Sequence, residues 1–305
     1  MAEVFINNTY FHFPSLFFNY FITFRKLIFT GLSALVGTCL VQTTLGQGNM
    51  YPKDGSNSEP DNKSIAERDI ANLTFFAVGL QPNKPILRFE STLIVPPGSP
   101  DASPDRLVQA IWPGLQTDTL LQNVLTNQGG KAHEWFFLPF ACCHPAANLV
   151  DPVRVYPGDS ITNTYLWDIG NDKWLNNWVL TPGAEGHKAG EKAFHGGLTF
   201  DQATAFVDQP NKTAKTTARP YNDAVFAIEL QGLGTWDFGP VEWKNILIVA
   251  NTTDSEWCTK IQTADPLNYS VTPPYASTSG NLTTCYIASM TFISPKSQSR
   301  QAKLA

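Results

Sequence analysis

Apolar segments of strand length, separated by turns rich in Pro and Gly, recur along most of this sequence. Ser160 to Asp168 alternates apolar and polar side chains, and Ala224 to Leu230 and Val241 to Ala250 are apolar runs of similar length. After residue 47 no segment keeps a 3.6-residue period for more than two turns, and no repeat of domain-building length occurs. The pattern predicts an all-β protein in which two antiparallel sheets pack as a jelly-roll sandwich.

The chain is long enough for one large sandwich domain. It has 305 residues, and 43% of them are apolar, which is sufficient for a sizeable buried core. Residues 48–68 are polar and rich in turn formers, and residues 295–305 are polar and basic. We therefore predict a flexible arm over 48–68, a single β-sandwich domain over 69–294 and a polar tail over 295–305.

The amino-terminal segment has the pattern of a secretory signal. A basic pair, Arg25 and Lys26, precedes the apolar run from Leu27 to Val41, and small residues stand at the -3 and -1 positions of a cut before Gln47. We predict that residues 1–47 are a signal peptide. A retained signal anchor and a start codon placed too far upstream are the alternatives, and in each case the domain enters the secretory lumen.

Glycosylation sequons support that compartment. Each is an Asn-x-Ser/Thr triplet without an intervening Pro, and a glycan requires the Asn to lie at the surface. We expect a secreted glycoprotein with its glycans in loops or on outward-facing strand positions. The sequon asparagines are Asn62, Asn72, Asn211, Asn251, Asn268 and Asn281.

Four cysteines follow the predicted signal, an even number that suits an oxidising lumen. We predict a disulfide between Cys258 and Cys285. Cys142 and Cys143 would then be bonded to each other or both free, and the sequence leaves these alternatives open.

Composition and motifs exclude several classes of partner. The net charge is -5 and no cluster of Lys and Arg occurs, so neither nucleic acid nor, after signal cleavage, a membrane is expected as partner. Adjacent side chains such as Cys142 and Cys143 do not fill one tetrahedral metal shell, and no phosphate loop or dinucleotide fingerprint appears. We predict no metal and no cofactor, and the oligomeric state stays open.

Several short motifs between Ala110 and Asn245 resemble those of the glutamic peptidases, the eqolisin family of secreted fungal proteins. The resemblance rests on their order and spacing along the chain, and it implies a concanavalin-like sandwich of two antiparallel sheets. The motifs are Trp112-x-Gly114, Leu121-Gln122, an aromatic strand centred on Trp135, Gly158-Asp159-Ser160-Ile161, and Asp237-Phe238-Gly239-x-Val241 with Asn245.

The resemblance also implies where a catalytic dyad would stand, and the sequence departs from it. In the family a Glu activates water and a Gln amide stabilises the oxyanion. The Gln matches Gln122 and a cleft Trp matches Trp112, but the catalytic Glu falls on Val225. Two further acidic positions of the family fall on Gln116 and Phe137. Since an amide cannot take a proton near neutral pH, Gln122 alone does not supply the chemistry.

Two other acids share the strand of Val225 and, by the period-2 rule, its face. Asp223 and Glu229 are candidate catalytic residues together with Gln122. Concanavalin-like sandwiches bind ligands on the concave face of one sheet. We expect a cleft there with a ligand-binding set of Trp112, Gln116, Trp135, Phe137 and Val225.

Replacement of three acids by Gln, Phe and Val predicts a more apolar cleft than a peptidase needs. Our leading hypothesis is a protein that binds a small organic molecule in fungal secondary metabolism and acts as a cyclase, dehydratase or isomerase. A lectin-like protein that binds a glycan without turnover is the second hypothesis. The third is an acid endopeptidase that uses Asp223 or Glu229 in place of the missing Glu.

Overall fold

The computed structural model of the protein describes residues 73–100, 107–142, 146–205, 220–264 and 267–294. In these ranges nearly all regular structure is β-strand, and every strand pairing is antiparallel. Two sheets of eight strands pack face to face. The predicted fold class, an all-β sandwich of two antiparallel sheets, is confirmed.

The strands are numbered β1 to β16 in chain order. Two short helices, α1 (Ala184–Lys188) and α2 (Gln202–Ala205), and a 3-10 turn at Glu256–Cys258 complete the described elements. The strands are β1 Thr74–Leu80, β2 Ile86–Ile94, β3 Leu107–Gln116, β4 Leu120–Thr126, β5 Trp135–Cys142, β6 Ala147–Asn148, β7 Val153–Val155, β8 Ser160–Asp168, β9 Lys173–Thr181, β10 Phe194–Phe200, β11 Asp223–Gly232, β12 Val241–Ala250, β13 Gln262–Ala264, β14 Tyr269–Val271, β15 Tyr275–Ser279 and β16 Leu282–Phe292.

The strand order places distant parts of the chain side by side. The first sheet, called sheet A, has the order β13-β1-β11-β3-β4-β5-β6, with β7 also paired to β5. Sheet B has the order β10-β9-β8-β2-β12-β16-β14, with β15 also paired to β16. In sheet A, β11 therefore lies directly beside β3, although about a hundred residues separate them in sequence.

Aromatic side chains from both sheets fill the space between them. Phe226 of sheet A contacts two rings of sheet B, Phe89 at 5.3 Å and Trp243 at 5.4 Å between centroids, both edge-on. Trp243 in turn packs on Phe292 at 4.5 Å. Each such buried ring stabilises the fold by roughly 1.5–3 kcal/mol relative to an exposed one. This core is what holds sheet A against sheet B.

A small polar network lies inside this apolar core. Asn123 of β4 donates to Asn163 of β8 at 2.9 Å and to Asn176 of β9 at 3.0 Å, and Asn176 donates back at 2.9 Å. All three side chains are buried. Because an unpaired buried amide is costly, these bonds specify how β4 sits over β8 and β9.

Strand β3 runs further than the sequence predicts. The strand-like pattern from Leu107 to Trp112 predicts an end at the Pro113-Gly114 pair, yet β3 continues to Gln116. The proline is tolerated because the pairing of β3 with β4 is interrupted between Ile111 and Gly114, where the missing N–H is not needed. Its carbonyl accepts a 2.9 Å hydrogen bond from the Tyr165 hydroxyl, so the polar group left in the core is satisfied.

The predicted disulfide between Cys258 and Cys285 is confirmed, and it ties the 3-10 turn to β16. Cys142 is also disulfide-bonded. Cys143 lies outside the described residues. Of the sequon asparagines, Asn251, Asn268 and Asn281 are exposed, as a glycan requires.

Other sequence predictions fall on parts of the chain that the structure does not describe. Asn62, Asn72 and Asn211 lie there, together with the predicted signal over 1–47, the arm over 48–68 and the tail over 295–305. Within the described ranges, no helix has the length and apolar character that a membrane crossing requires.

Candidate functional site

Sheet A has a second apolar face, directed away from sheet B. Successive side chains of a strand point to opposite faces of the sheet. The residues that alternate with the core residues of sheet A therefore form a separate apolar cluster on this face. We call this the outer face. Its apolar residues are Phe75, Ala77, Ala110, Trp112, Leu120, Val124, Leu138, Phe140, Cys142, Val225 and Ala227, all of them buried.

One row of residues crosses the middle of the outer face. Val225 of β11 pairs with Gly114 of β3, Gly114 pairs with Gln122 of β4, and Gln122 pairs with Phe140 of β5. The register thus places Val225 and Gln122 two strands apart, at about 10 Å between Cα atoms. It also places the two positions that correspond to the family's dyad on one line across the sheet.

Gly114 lies between these two residues in the row, at a position that is closely surrounded. A Cβ at this position would lie 3.2 Å from Cβ of Gln122 and 3.1 Å from Cδ1 of Leu120, closer than side chains normally approach. The backbone does not require a glycine here, so the constraint is one of space. A larger residue at this position would therefore push against β4.

Gln122 is fully buried and its amide is unpaired. It is 0% exposed, and neither Oε1 nor Nε2 has a hydrogen-bond partner in the described part of the chain. A buried amide without partners costs on the order of 1–3 kcal/mol for the groups left unpaired. The site therefore holds a buried donor and a buried acceptor whose hydrogen bonds are not made within the described part of the chain.

Asp223 lies on the same face, two residues before Val225. Its Oδ2 accepts a 2.7 Å hydrogen bond from Nε2 of Gln81, whereas its Oδ1 has no partner among the described residues. Burial raises the pKa of Asp223 to about 7, and the Gln81 bond only partly opposes this. The carboxyl lies over Gly79 of β1, where a Cβ would stand 3.2 Å from Oδ1.

Glu229 is buried further along β11, and both of its oxygens are engaged. Oε1 accepts a 2.7 Å hydrogen bond from Gln231, and Oε2 accepts a long 3.4 Å bond from the indole N–H of Trp112. Burial raises the pKa of Glu229 to about 7, with these two bonds opposing the change. Glu229 therefore orients Trp112, which also packs on Phe75 at 5.7 Å between ring centroids.

Gln116 adds a further polar group to the outer face, beside Asp223. The two residues are direct cross-strand partners, and Oε1 of Gln116 is buried without a hydrogen-bond partner in the described ranges. Unpaired polar atoms thus come from three strands, β11, β3 and β4. All of them lie on the outer face that also holds Val225.

The structure brings together most of the site residues predicted from sequence, but not all of them. Trp112, Gln116, Gln122, Asp223, Val225 and Glu229 share the outer face.

Trp135 and Phe137 differ from the prediction, because they point into the sandwich core. Trp135 packs edge-on against Phe238 at 5.4 Å, and Phe137 contacts Trp178 at 5.8 Å. Since Gln122 pairs with Phe140, only the even-numbered residues of β5 share its face.

Sequence reasoning missed several residues of this face. Phe75 and Phe140 complete its aromatic wall, and Gln81 orients the carboxyl of Asp223. Phe140 carried no signal of its own, because every residue of β5 is apolar and no alternation marks a face. Gln81 had no such signal, because its contact with Asp223 joins distant parts of the chain.

The described residues offer no group of His, Cys, Asp and Glu side chains arranged to hold a metal ion. Cys143 and His144, which the sequence places beside Cys142, lie outside the described ranges. The groups available for chemistry on the outer face are therefore amides, carboxyls and one indole. They can orient a ligand by hydrogen bonds and move a proton.

No protein-family model matches this sequence, and no curated protein matches it. Similar solved structures include scytalido-glutamic peptidase with a peptide-based transition-state analogue, at 14% identity and a TM-score of 0.42, over 70% of this chain and 98% of that chain. Another is SCP-B, a member of the eqolisin family of peptidases, in a complex with the tripeptide Ala-Ile-His. It has 12% identity and a TM-score of 0.41, over the same shares of the two chains. The first is a glutamic peptidase and the second an eqolisin, the family that the sequence motifs resemble.

Proposed function

We propose that the outer face of sheet A binds a small organic molecule, which the amide of Gln122 orients. The observation that supports this is the state of Gln122, fully buried with both amide atoms unpaired in the described part of the chain. A buried amide is normally satisfied, and an exception calls for a ligand or an ordered water. A ligand that pairs with Gln122 removes this cost.

The remainder of the face suits a ligand with an apolar skeleton. Trp112, Phe75 and Phe140 supply aromatic walls, and Val225 adds an apolar side chain at the β11 end of the row. Small-molecule sites are mostly apolar with a few placed polar groups, and this face has that composition. Apolar burial would supply most of the affinity and Gln122 the orientation.

Asp223 provides the chemistry for turnover. Its pKa of about 7 keeps the carboxyl protonated at mildly acidic pH, so it can give a proton to a carbonyl or hydroxyl oxygen of the ligand. Proton transfer to a hydroxyl lets it leave as water, and proton transfer to a carbonyl oxygen activates the carbonyl. The Asp223 carboxylate that remains then takes a proton from the neighbouring carbon, or from the group that adds in ring closure, so that the step balances. We therefore propose a cyclase, dehydratase or isomerase, working in fungal secondary metabolism.

The geometry weakens the peptidase alternative. Glu229 is already bonded to Gln231 and Trp112, and it lies four residues along β11 from the central row, at about 13 Å. Of the two acids, Asp223 is the one with an oxygen that lacks a hydrogen-bond partner among the described residues. Its other oxygen accepts a hydrogen bond from Gln81. A peptidase would have to use Asp223 as its general base, although Asp223 lies two residues away from position 225, where the family has its catalytic Glu.

Binding of the neutral dye Nile red tests the proposal. We expect saturable fluorescence enhancement with one site per chain and no casein cleavage at acidic pH. Casein cleavage that disappears in Gln122→Ala would instead establish the peptidase. Glycan-array binding that is unchanged in Gln122→Leu would establish the lectin. A genome neighbourhood without biosynthetic genes would count against the metabolic role.

We also propose that the protein works in the secretory pathway or outside the cell. The Cys258–Cys285 disulfide and the exposed positions of Asn251, Asn268 and Asn281 support this placement. Expression of the full chain in a fungal host should give a secreted product whose mass falls after enzymatic removal of N-glycans. Retention of the product inside the cell, without glycans, would contradict the placement.

A further inference from the structure

We infer that the ligand of the outer face is an uncharged molecule that carries at least one carbonyl together with hydroxyl or N–H groups. The inference rests on the proposed function, because it names the class of molecule that the same site takes. It is carried by the unpaired polar atoms of the face and by the absence of a cation among its described residues.

Gln122 sets the first requirement. Its Nε2 needs an acceptor and its Oε1 needs a donor, and the two atoms belong to one planar amide. A ligand group with a carbonyl beside an N–H or O–H satisfies both at once, as a carboxamide, a lactam or a hydroxyketone does. A group with acceptors alone leaves Oε1 buried and unpaired.

Asp223 and Gln116 set the second requirement. Because Gln81 donates to Oδ2 of Asp223, the proton of the neutral carboxyl resides on Oδ1, which becomes a donor. Oε1 of Gln116, on the strand beside it, is a further acceptor. The four unpaired atoms are thus two donors and two acceptors, so the complementary ligand offers two acceptors and two donors.

Charge sets the third requirement. On the outer face of β1, β11, β3, β4 and β5, the described residues include no Lys, Arg or His. Among the described strands of sheet A, the one cation is Arg154 of β7, which is half exposed and paired with Glu134 at 3.0 Å. A carboxylate or phosphate ligand would therefore be buried without a counter-charge and beside the carboxyls of Asp223 and Glu229, which is strongly unfavourable.

A set of probes with one skeleton separates these requirements. Naphthalene-2-carboxamide is neutral and has a donor and an acceptor, 2-acetylnaphthalene has only the acceptor, and naphthalene-2-carboxylate is an anion. Calorimetric titration at about pH 6, below the pKa of Asp223, should show the carboxamide binding tightest. The carboxylate should bind at least about tenfold more weakly, as expected for a buried unpaired charge.

Gln122→Leu is the decisive variant, since leucine keeps the approximate size and removes the amide. It should make the carboxamide and the methyl ketone bind about equally. Asn177→Leu is the matched control, because it removes an exposed amide from β9 of sheet B. It should leave the order of the three probes unchanged.

The outcomes distinguish the two proposals. Tightest binding by the carboxylate, or a preference for the carboxamide that persists in Gln122→Leu, overturns the ligand class and leaves the binding function in place. Absence of saturable binding by all three probes and by Nile red overturns the proposed function itself.

Discussion

The amide of Gln231 donates a 2.7 Å hydrogen bond to Oε1 of Glu229, two residues earlier on the same strand and the same face. Gln122, on that face and two strands from the edge strand β6, has no partner for either amide atom within the described ranges. Both glutamines are buried, and the Gln231 amide has a hydrogen-bond partner whereas the Gln122 amide has none in the described ranges. Their substitution by leucine should therefore have opposite effects on stability.

Gln122→Leu should raise the free energy of unfolding of the ligand-free protein by about 1–2 kcal/mol. The substitution removes two buried polar atoms that have no partner and adds apolar surface of similar shape. Urea unfolding, followed by tryptophan fluorescence, measures the change. A decrease in stability would mean that the amide is satisfied in solution.

Gln231→Leu should lower the free energy of unfolding by about 1–3 kcal/mol. It leaves Oε1 of Glu229 buried without its 2.7 Å partner, and the loss should grow as the pH rises and the carboxyl ionises. The same urea experiment at about pH 5 and pH 8 measures it. Equal effects of the two leucine variants would refute the distinction between the two amides.

Stability should fall as the pH rises from about 4 to about 7. Burial raises the pKa of Asp223 from 3.8 and of Glu229 from 4.5, each to about 7. Between these values the native state holds protons that the unfolded chain has released, so the unfolded state is favoured as pH rises. Each carboxyl should cost on the order of 3 kcal/mol by neutral pH, measurable from urea midpoints at a series of pH values.

Asp223→Asn and Glu229→Gln are the controls for this pH profile. Each keeps an acceptor oxygen for its hydrogen bond and cannot ionise, so each should remove about half of the decrease. A wild-type profile that rises over the same interval would show that neither carboxyl is buried as the structure has it.

Much of the fold can be predicted from the sequence, because alternation and turn residues are local signals. Strands β8 and β12 have the bounds that their patterns predict. The common face of Gln122, Trp112 and Val225 follows from the same period of two. Short polar edge strands such as β14 were not predicted, since three residues carry no readable pattern.

The candidate site depends on side-chain orientations and long-range contacts that local sequence patterns do not predict. Strand β5 is buried or half-buried at every position, so its sequence does not say which side chains face the core, and Trp135 and Phe137 were predicted on the wrong face. Likewise, the bond of Gln81 to Asp223 joins β11 to the end of β1. Only the tertiary structure brings such residues together.

Removal of the Cys258–Cys285 disulfide should lower stability without changing the outer face. The bond lies beside β16 in sheet B and closes a loop of 26 intervening residues. In the chain-entropy view its loss costs about 3 kcal/mol. Cys258→Ala with Cys285→Ala should therefore unfold at lower urea and still bind Nile red at low temperature, whereas a loss of binding in the folded variant would link the two regions.

Gly79→Ala should change the titration of Asp223 more than it changes stability, because the added methyl group contacts the Asp223 carboxyl. A methyl group at position 79 would stand 3.2 Å from Oδ1, the oxygen that carries the transferable proton, and the carboxyl must shift to relieve the contact. Alanine in a strand gains about 0.5–1 kcal/mol over glycine through the unfolded state, which offsets much of the strain. We expect an unfolding free energy within about 1 kcal/mol of the wild type.

The shift of the carboxyl should appear as a changed Asp223 titration in carboxyl-carbon NMR and should vanish in the Asp223→Asn background, as a double-mutant cycle requires. An unchanged titration would show that Gly79 does not constrain the carboxyl.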